Sequence, residues 1–314
     1  MTGSALIGRW LESGALELPL PGGGETARRW RCLAALARVD IVAGRLAEAH
    51  TDAIAILAEL DSSEVKPGRL WGVWAAESRD AVLNAHSDED ATTLDGTKVW
   101  CSGAGLCTHA LVTARLESGD RGLFAVDLRQ AGVQPLPSGW RNSGMAESDT
   151  RSVQFSNAPA TPVGPPGEYL ARAGFWHGAI GVAACWLGGA RAVAEPLYAR
   201  AAEDRVDPHA LAHLGAVDAA LAAGEAMLSW AASAVDDDPL NRKGMAELIA
   251  RRTRAVVETA VEETIVRTGR ALGPAPLSHD AQHAKRVADL TMYVRQSHAE
   301  RDLERLGVLA GATR

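Results

Sequence analysis

"LDGTKVWCSGAG", Leu94 to Gly105, sets one of the bulkiest side chains of the sequence beside some of its smallest. Asp95-Gly96 has the chemistry of a tight turn, and "TKVWCS" reads as the strand that follows it. Trp100 then stands next to Cys101, the hydroxyl of Ser102 and the bare backbone of Gly103. Two physical causes produce that pairing. A core can take the indole and then turn, or a flat ring can lie against it.

The pattern to either side is one of strands. "LWGVWAAE" from Leu70 is a short apolar run, and "HALVTARL" and "GLFAVDL" flank the Gly-containing loop "ESGDR" as a hairpin. "RSVQFSN" from Arg151 alternates with period two. About six strands are expected between residues 68 and 166, closed by the Pro-rich "NAPATPVGPPG". Before them, Arg28 to Leu60 carries apolar residues at helical spacing in an Ala-rich background. After them, helices are expected near 168–202, 208–235, 241–272 and 281–306, divided by "DDDPLNRKG" and "GPAPLSHD". The small residues of the second let helices approach closely, as in a bundle.

The expected organisation is therefore α+β in three parts: N-terminal helices (1–67), a central β-barrel-like domain (68–166) and a C-terminal four-helix bundle (167–314). Blocks of one element type exclude a doubly wound sheet, which needs alternation.

Composition narrows the function. With 47% hydrophobic and 23% charged residues, the 314-residue chain has the makeup of a soluble globular protein. A net charge of −7 argues against nucleic acid or an anionic membrane as partner. No leader or long N-terminal apolar segment is visible, so cytoplasm is the expected location. The four cysteines form no CxxC, and Cys101, Cys107 and His109 lack zinc-ligand spacing, so buried thiols and no metal are expected. No GxSxG, HExxH or complete GxGxxG occurs. His50, His177, His209, His213 and His283 fall on expected helices and read as structural or solvent-facing. Asp280, between the last two expected helices, reads either as a helix N-cap or as a catalytic carboxylate.

In this order the motifs resemble the acyl-CoA dehydrogenase family of flavoproteins. "LDGTKVWCSGAG" is similar to its Gly-x-Lys-x-Trp-Ile-Thr-Asn-Gly, and "GWRNSGMAESDTRSVQFSNAPAT" to its Arg-x-Ser-Asp-Thr segment and strand. "GRLAEAH" at Gly44 looks like a family helix, and "VWAAE" stands where a strand ending in Thr-Glu-Pro is expected. The resemblance implies FAD bound between the β domain and the bundle. It implies a base that takes an α-proton from an acyl thioester while hydride passes to flavin N5. Carried over by position, Ala76, Trp100 and Ser102 are flavin contacts, with Trp100 beside the ring and Ser102 near N5. Arg270 stands where a family Gln touches FAD, and Asp280 stands at the base of one branch. The other branch's base position falls near Ala171, with Glu168 close by.

The departures bear on function. The N-terminal helices are few, the Gly-rich loop after Glu77 is missing, and no Phe-Gly phosphate motif follows the first bundle helix, where Arg205 is the nearest substitute. Two expectations follow. One is an FAD-dependent oxidoreductase, a homo-oligomer or paired with a related subunit. The other is a non-catalytic, flavin-poor subunit of a hetero-oligomeric complex.

Overall fold

In the computed structural model, which describes residues 3–88, 91–203 and 206–312, Asp95-Gly96 does not turn the chain. It is a bulge inside one ten-residue strand, β3 (Thr92–Cys101), where the pairing register shifts between Leu94 and Gly96. Gly96 has φ +121, and a methyl there would collide with the Val82 carbonyl. Only glycine fits such an approach, so a turn-like dipeptide sits within a strand.

The chain divides into two compact units. The first comprises Met1–Leu18, Leu46–Arg141 and Ala146–Phe175. Its sheet adds to β3 the strands β1 (Trp71–Trp74), β2 (Leu83–Ser87), β4 (His109–Arg115), β5 (Arg121–Asp127), β6 (Val133–Pro135), β7 (Arg151–Pro159) and β8 (Thr161–Pro162). Their order is β6-β7-β3-β2-β4-β5-β8, with β1 parallel to β4. The expected β4–β5 hairpin is present, paired from His109–Asp127 to Arg115–Arg121. The core under this curled sheet joins Ala53, Ile56 and Leu57 of helix α3 (Ile41–Glu59) to Trp71, Leu111, Leu123 and Val163. Each Ile, Leu or Val among them contributes about 1.5–3 kcal/mol when fully buried. His50 on α3 is buried too, and its Nδ1 accepts from the Trp71 backbone N–H at 3.2 Å. Helix α1 (Gly3–Glu12) and the short α4 (Glu168–Ala171) complete this unit.

The second unit comprises Pro19–Arg45, Asn142–Met145 and Trp176–Arg314. It holds α2 (Thr26–Val39), α5 (Gly174–Ala201, its first two residues excepted), α6 (Pro208–Asp237), α7 (Ala246–Leu272), α8 (Ala275–His279), α9 (Ala281–Tyr293) and α10 (Glu300–Ala312). The helix expected over 28–60 breaks at Asp40, which is extended and accepts from the Ala43 N–H as a cap. The helix expected over 281–306 breaks at the extended Ser297. Small residues bring the helices together: a methyl on Gly188 would strike the Ala34 carbonyl, and one on Gly224 would press on Leu187. Arg286 bridges to Glu195 at 2.8 Å, and Arg251 joins Glu247 at 2.9 Å to Asp302 at 2.8 Å.

Helix α6 stands out by its exposure. By length and composition it could cross a membrane, with a mean hydropathy of 1.3 over its most apolar window, and only 22% of that window is buried. Its open face carries Ala212, Gly215, Ala219, Ala222, Ala226, Ser229 and Ser233, alternately three and four residues apart.

Candidate functional site

Trp100 occupies a strained corner. The register slips a second time between Lys98 and Cys101, and Trp100 at that bulge has φ +60. A bulky L-residue in this region costs about 1–2 kcal/mol. The bulge turns the indole outward, 60% exposed, while Cys101 beside it is fully buried. Burial pushes the Cys101 thiol up, and its Sγ donates to the Lys98 carbonyl at 3.3 Å. Lys98, almost wholly buried, donates from Nζ to the Thr113 carbonyl and Oγ1, each at 2.8 Å, and to Glu77 at 3.3 Å. Desolvation lowers its pKa, against the pull of Glu77.

The backbone after Trp100 is sewn to the 148–151 segment. Gly103 N–H donates to the Ser148 carbonyl at 2.7 Å, and Ala104 N–H to the Asp149 carbonyl at 3.2 Å. Gly105 N–H donates to Asp149 Oδ2 at 2.8 Å. Trp74 Nε1 donates to the Ser102 carbonyl at 3.0 Å. The Ser102 hydroxyl meets Thr150 Oγ1 at 3.0 Å, and Thr150 meets Ser148 Oγ at 2.8 Å. The result is a shelf with an exposed indole at its rim and a hydroxyl two residues further along.

The structure places Trp100 and Ser102 together on this shelf, with Ala76 exposed just beyond β1, two residues after Trp74. Arg270 and Asp280 belong to the other unit. Arg270 is exposed in the last turn of α7. Asp280 is the N-cap of α9: its Oδ1 accepts from Gln282 N–H at 2.9 Å and His283 N–H at 3.0 Å. The His283 amide above all holds its pKa below the usual carboxylate value. Arg205 lies outside the described residues. Glu168 opens α4 and is half-buried. Among the described residues, no cluster of three His, Cys, Asp or Glu side chains has a metal-binding arrangement.

Sequence reasoning did not single out Trp140, Ser148, Thr150 or Trp74 as site residues. Trp140 meets Trp100 edge to face. The signal for the hydroxyls was the "SDT" triplet, but contacts spanning 48 residues have no local periodicity to reveal them.

Comparisons bear on what this shelf belongs to. The family model described as the acyl-CoA dehydrogenase middle domain matches residues 74–158. No curated protein matches by sequence. Among solved structures, TdsC from Paenibacillus sp. A11-2, in complex with FMN and indole, is 20% identical with a TM-score of 0.81, covering 92% of this chain and 84% of that one. The methanesulfinate monooxygenase MsuC from Pseudomonas fluorescens is 17% identical with a TM-score of 0.82, covering 98% and 89%. The Tcur3481-Tcur3483 steroid ACAD is 20% identical with a TM-score of 0.77, covering 99% and 90%. The chain thus has the acyl-CoA dehydrogenase fold, and its residues 74–158 match that family's middle domain.

Proposed function

We propose that this chain is a flavin-dependent oxidoreductase that holds the isoalloxazine ring along Trp100–Ser102. The observation that carries this is the shelf: a strained, outward-turned indole near a hydroxyl, on a backbone tied through the Gly103 N–H to the Ser148 carbonyl. An exposed aromatic gives a flat ring apolar area and a fixed plane. Strain of this kind persists where the surroundings enforce it, and it clusters at functional sites. The Ser102 hydroxyl faces ring N5 in this reading. When bound, the flavin supplies the two-electron chemistry. The chain's own residues orient the ring and keep backbone and hydroxyls fixed around it. Ala76 follows two residues after Trp74, whose indole N–H holds the Ser102 carbonyl. The missing Phe-Gly motif moves recognition toward the ring, so both FMN and FAD are admitted.

Of two chemistries on this fold, the geometry favours oxygen-dependent monooxygenation. Abstraction of an α-proton needs a base with a pKa near the working pH. Asp280 is exposed, engaged as a cap, and shifted the opposite way. TdsC and MsuC, both described as monooxygenases, share the fold. The second reading, acyl thioester dehydrogenation with Asp280 as base, draws on the middle-domain match and on Oδ2, which no described cap bond engages. A non-catalytic subunit is the third, favoured by the lost phosphate motif.

The test is direct. The protein should raise its melting temperature with FMN or FAD, because a ligand bound only by the folded state stabilises it by mass action. With flavin and a reductant it should consume oxygen in a substrate-dependent way. Acyl-CoA oxidation with an artificial electron acceptor would favour dehydrogenation instead. A protein stabilised by neither flavin is the non-catalytic subunit.

A further inference from the structure

Within the helical unit, α2, α5 and α6 enclose a groove of about 570 Å³. Sites for small molecules run from about 300 to 1,000 Å³ and are mostly apolar, with a few placed polar groups. The floor of this groove is apolar, from the buried Trp30, Leu187 and Leu228. Between its longer side chains, α2 contributes only the methyl groups of Ala27, Ala34 and Ala35, which leaves room above that floor. From Ala27 to Arg38 the lining follows α2 for about 16 Å, at about 1.5 Å per residue. At the Ala27 end the two flanking helices are pinned together. Asp236 on α6 accepts from the Thr26 hydroxyl at 2.5 Å and from the Thr26 N–H at 3.2 Å.

The charges on the rim are unequal. Three arginines line the groove against one glutamate, in a chain whose net charge is −7. Arg38 is held by Glu195 at 2.9 Å, and Arg191 pairs with Glu225. Arg31 lines the same groove, is exposed, and among the described residues has no carboxylate partner. One uncompensated guanidinium therefore stands over an apolar floor. That combination matches a ligand with one anionic head and a hydrocarbon body.

We propose that this groove binds a medium-chain carboxylate, its tail along Trp30, Leu187 and Leu228 and its head on Arg31. The site uses no residue of the Trp100 shelf and does not depend on the flavin reading.

The experiment titrates the full chain with decanoate and with 1-decanol, which has the same tail and no charge. Isothermal titration should show one decanoate per chain, bound about fivefold more tightly than the alcohol, the upper value of an exposed ion pair. That preference should shrink at 1 M salt, where the Debye length is about 3 Å. Arg31→Gln should bind the two compounds alike. Ala35→Trp, which places a bulky ring at an exposed position of the wall, should abolish binding of both. Ser229→Trp closes the groove from the α6 side and answers the same question if Ala35→Trp does not fold. The proposal is overturned if decanoate does not bind, if wild type binds both compounds equally, or if Arg31→Gln keeps the preference. Binding that survives in the folded Trp variants lies elsewhere and overturns it as well. If Ala35→Trp lowers the sedimentation coefficient, a second copy of the chain occupies the groove, and the carboxylate site is overturned.

Discussion

The indoles of Trp100 and Trp140 meet edge to face, ring centroids 6.3 Å apart and planes at 89°. Trp140 therefore fixes the plane of the exposed Trp100 ring before any ligand arrives, and such pairs contribute about 0.5–1.5 kcal/mol. Trp140→Ala should weaken FMN binding about fivefold by isothermal titration, the middle of that range, with the fold retained by circular dichroism. Trp100→Gly should weaken it more. The same Trp100→Gly change relieves the left-handed strain, so the melting temperature of the flavin-free protein should not fall. Loss of stability together with affinity would mean that Trp100 is a packing residue.

Asp280 gives a second prediction. Asparagine caps a helix about as well as aspartate. Asp280→Asn should therefore retain the fold, and Asp280→Ala should lower the melting temperature. If the chemistry is oxygen-dependent, substrate-coupled oxygen uptake should survive in the Asn variant. If acyl thioester oxidation occurs and disappears in that variant, Asp280 is the base.

His50 makes stability depend on pH. Burial lowers its pKa from 6.5 to about 4, and its Nδ1 must stay unprotonated to accept from Trp71. The unfolded chain binds the proton first as pH falls. The stability contributed by neutral His50 is thus fully present above pH 6.5 and is lost progressively down to about pH 4. The loss is on the order of 3 kcal/mol, from about 1.4 kcal/mol per pKa unit. His50→Asn, which keeps an acceptor without the titration, should flatten the fall in melting temperature over that window. An unchanged pH profile in His50→Asn would assign the dependence to another group.

The open face of α6 predicts association. Residues of alternating three- and four-residue spacing with small side chains let a second helix come close. We expect the chain to form an oligomer through Gly215, Ala219 and Ala226. Ala219→Arg should shift the sedimentation coefficient toward a monomer without changing helix content. An unshifted oligomer would place the interface elsewhere.

Much of this architecture is legible in the sequence, for identifiable reasons. Strands such as Leu111–Val112 and Phe124–Val126 are long and buried, so their apolar runs declare them. β2 has only two buried residues in "LNAHS", and β6 and β8 are three and two residues long. None carries a period strong enough to read. Asp95-Gly96 misleads because turn chemistry and bulge chemistry are the same freedom of glycine, and only the approach of Val82 selects between them. Asp40 breaks a helix because its side chain caps the next one, a competition that spacing alone does not score. In the candidate site, residue types at local spacing brought out Trp100 and Ser102. Trp140, Thr150 and Ser148 became visible only when distant segments met.

The tetrapeptide Asn142–Met145 belongs to the helical unit, whereas Arg141 and Ala146 on either side belong to the sheet unit. Asp289 on α9 holds it there, accepting from the Met145 N–H at 2.6 Å. With the crossings after Leu18, Arg45 and Phe175, the backbone passes back and forth between the units. No single cut yields two fragments that each carry a whole unit. Separate expression of the halves, or exchange of one of them with a relative, would need several simultaneous splices. The viable routes to a shorter or altered protein are therefore trimming at the ends and substitution in place.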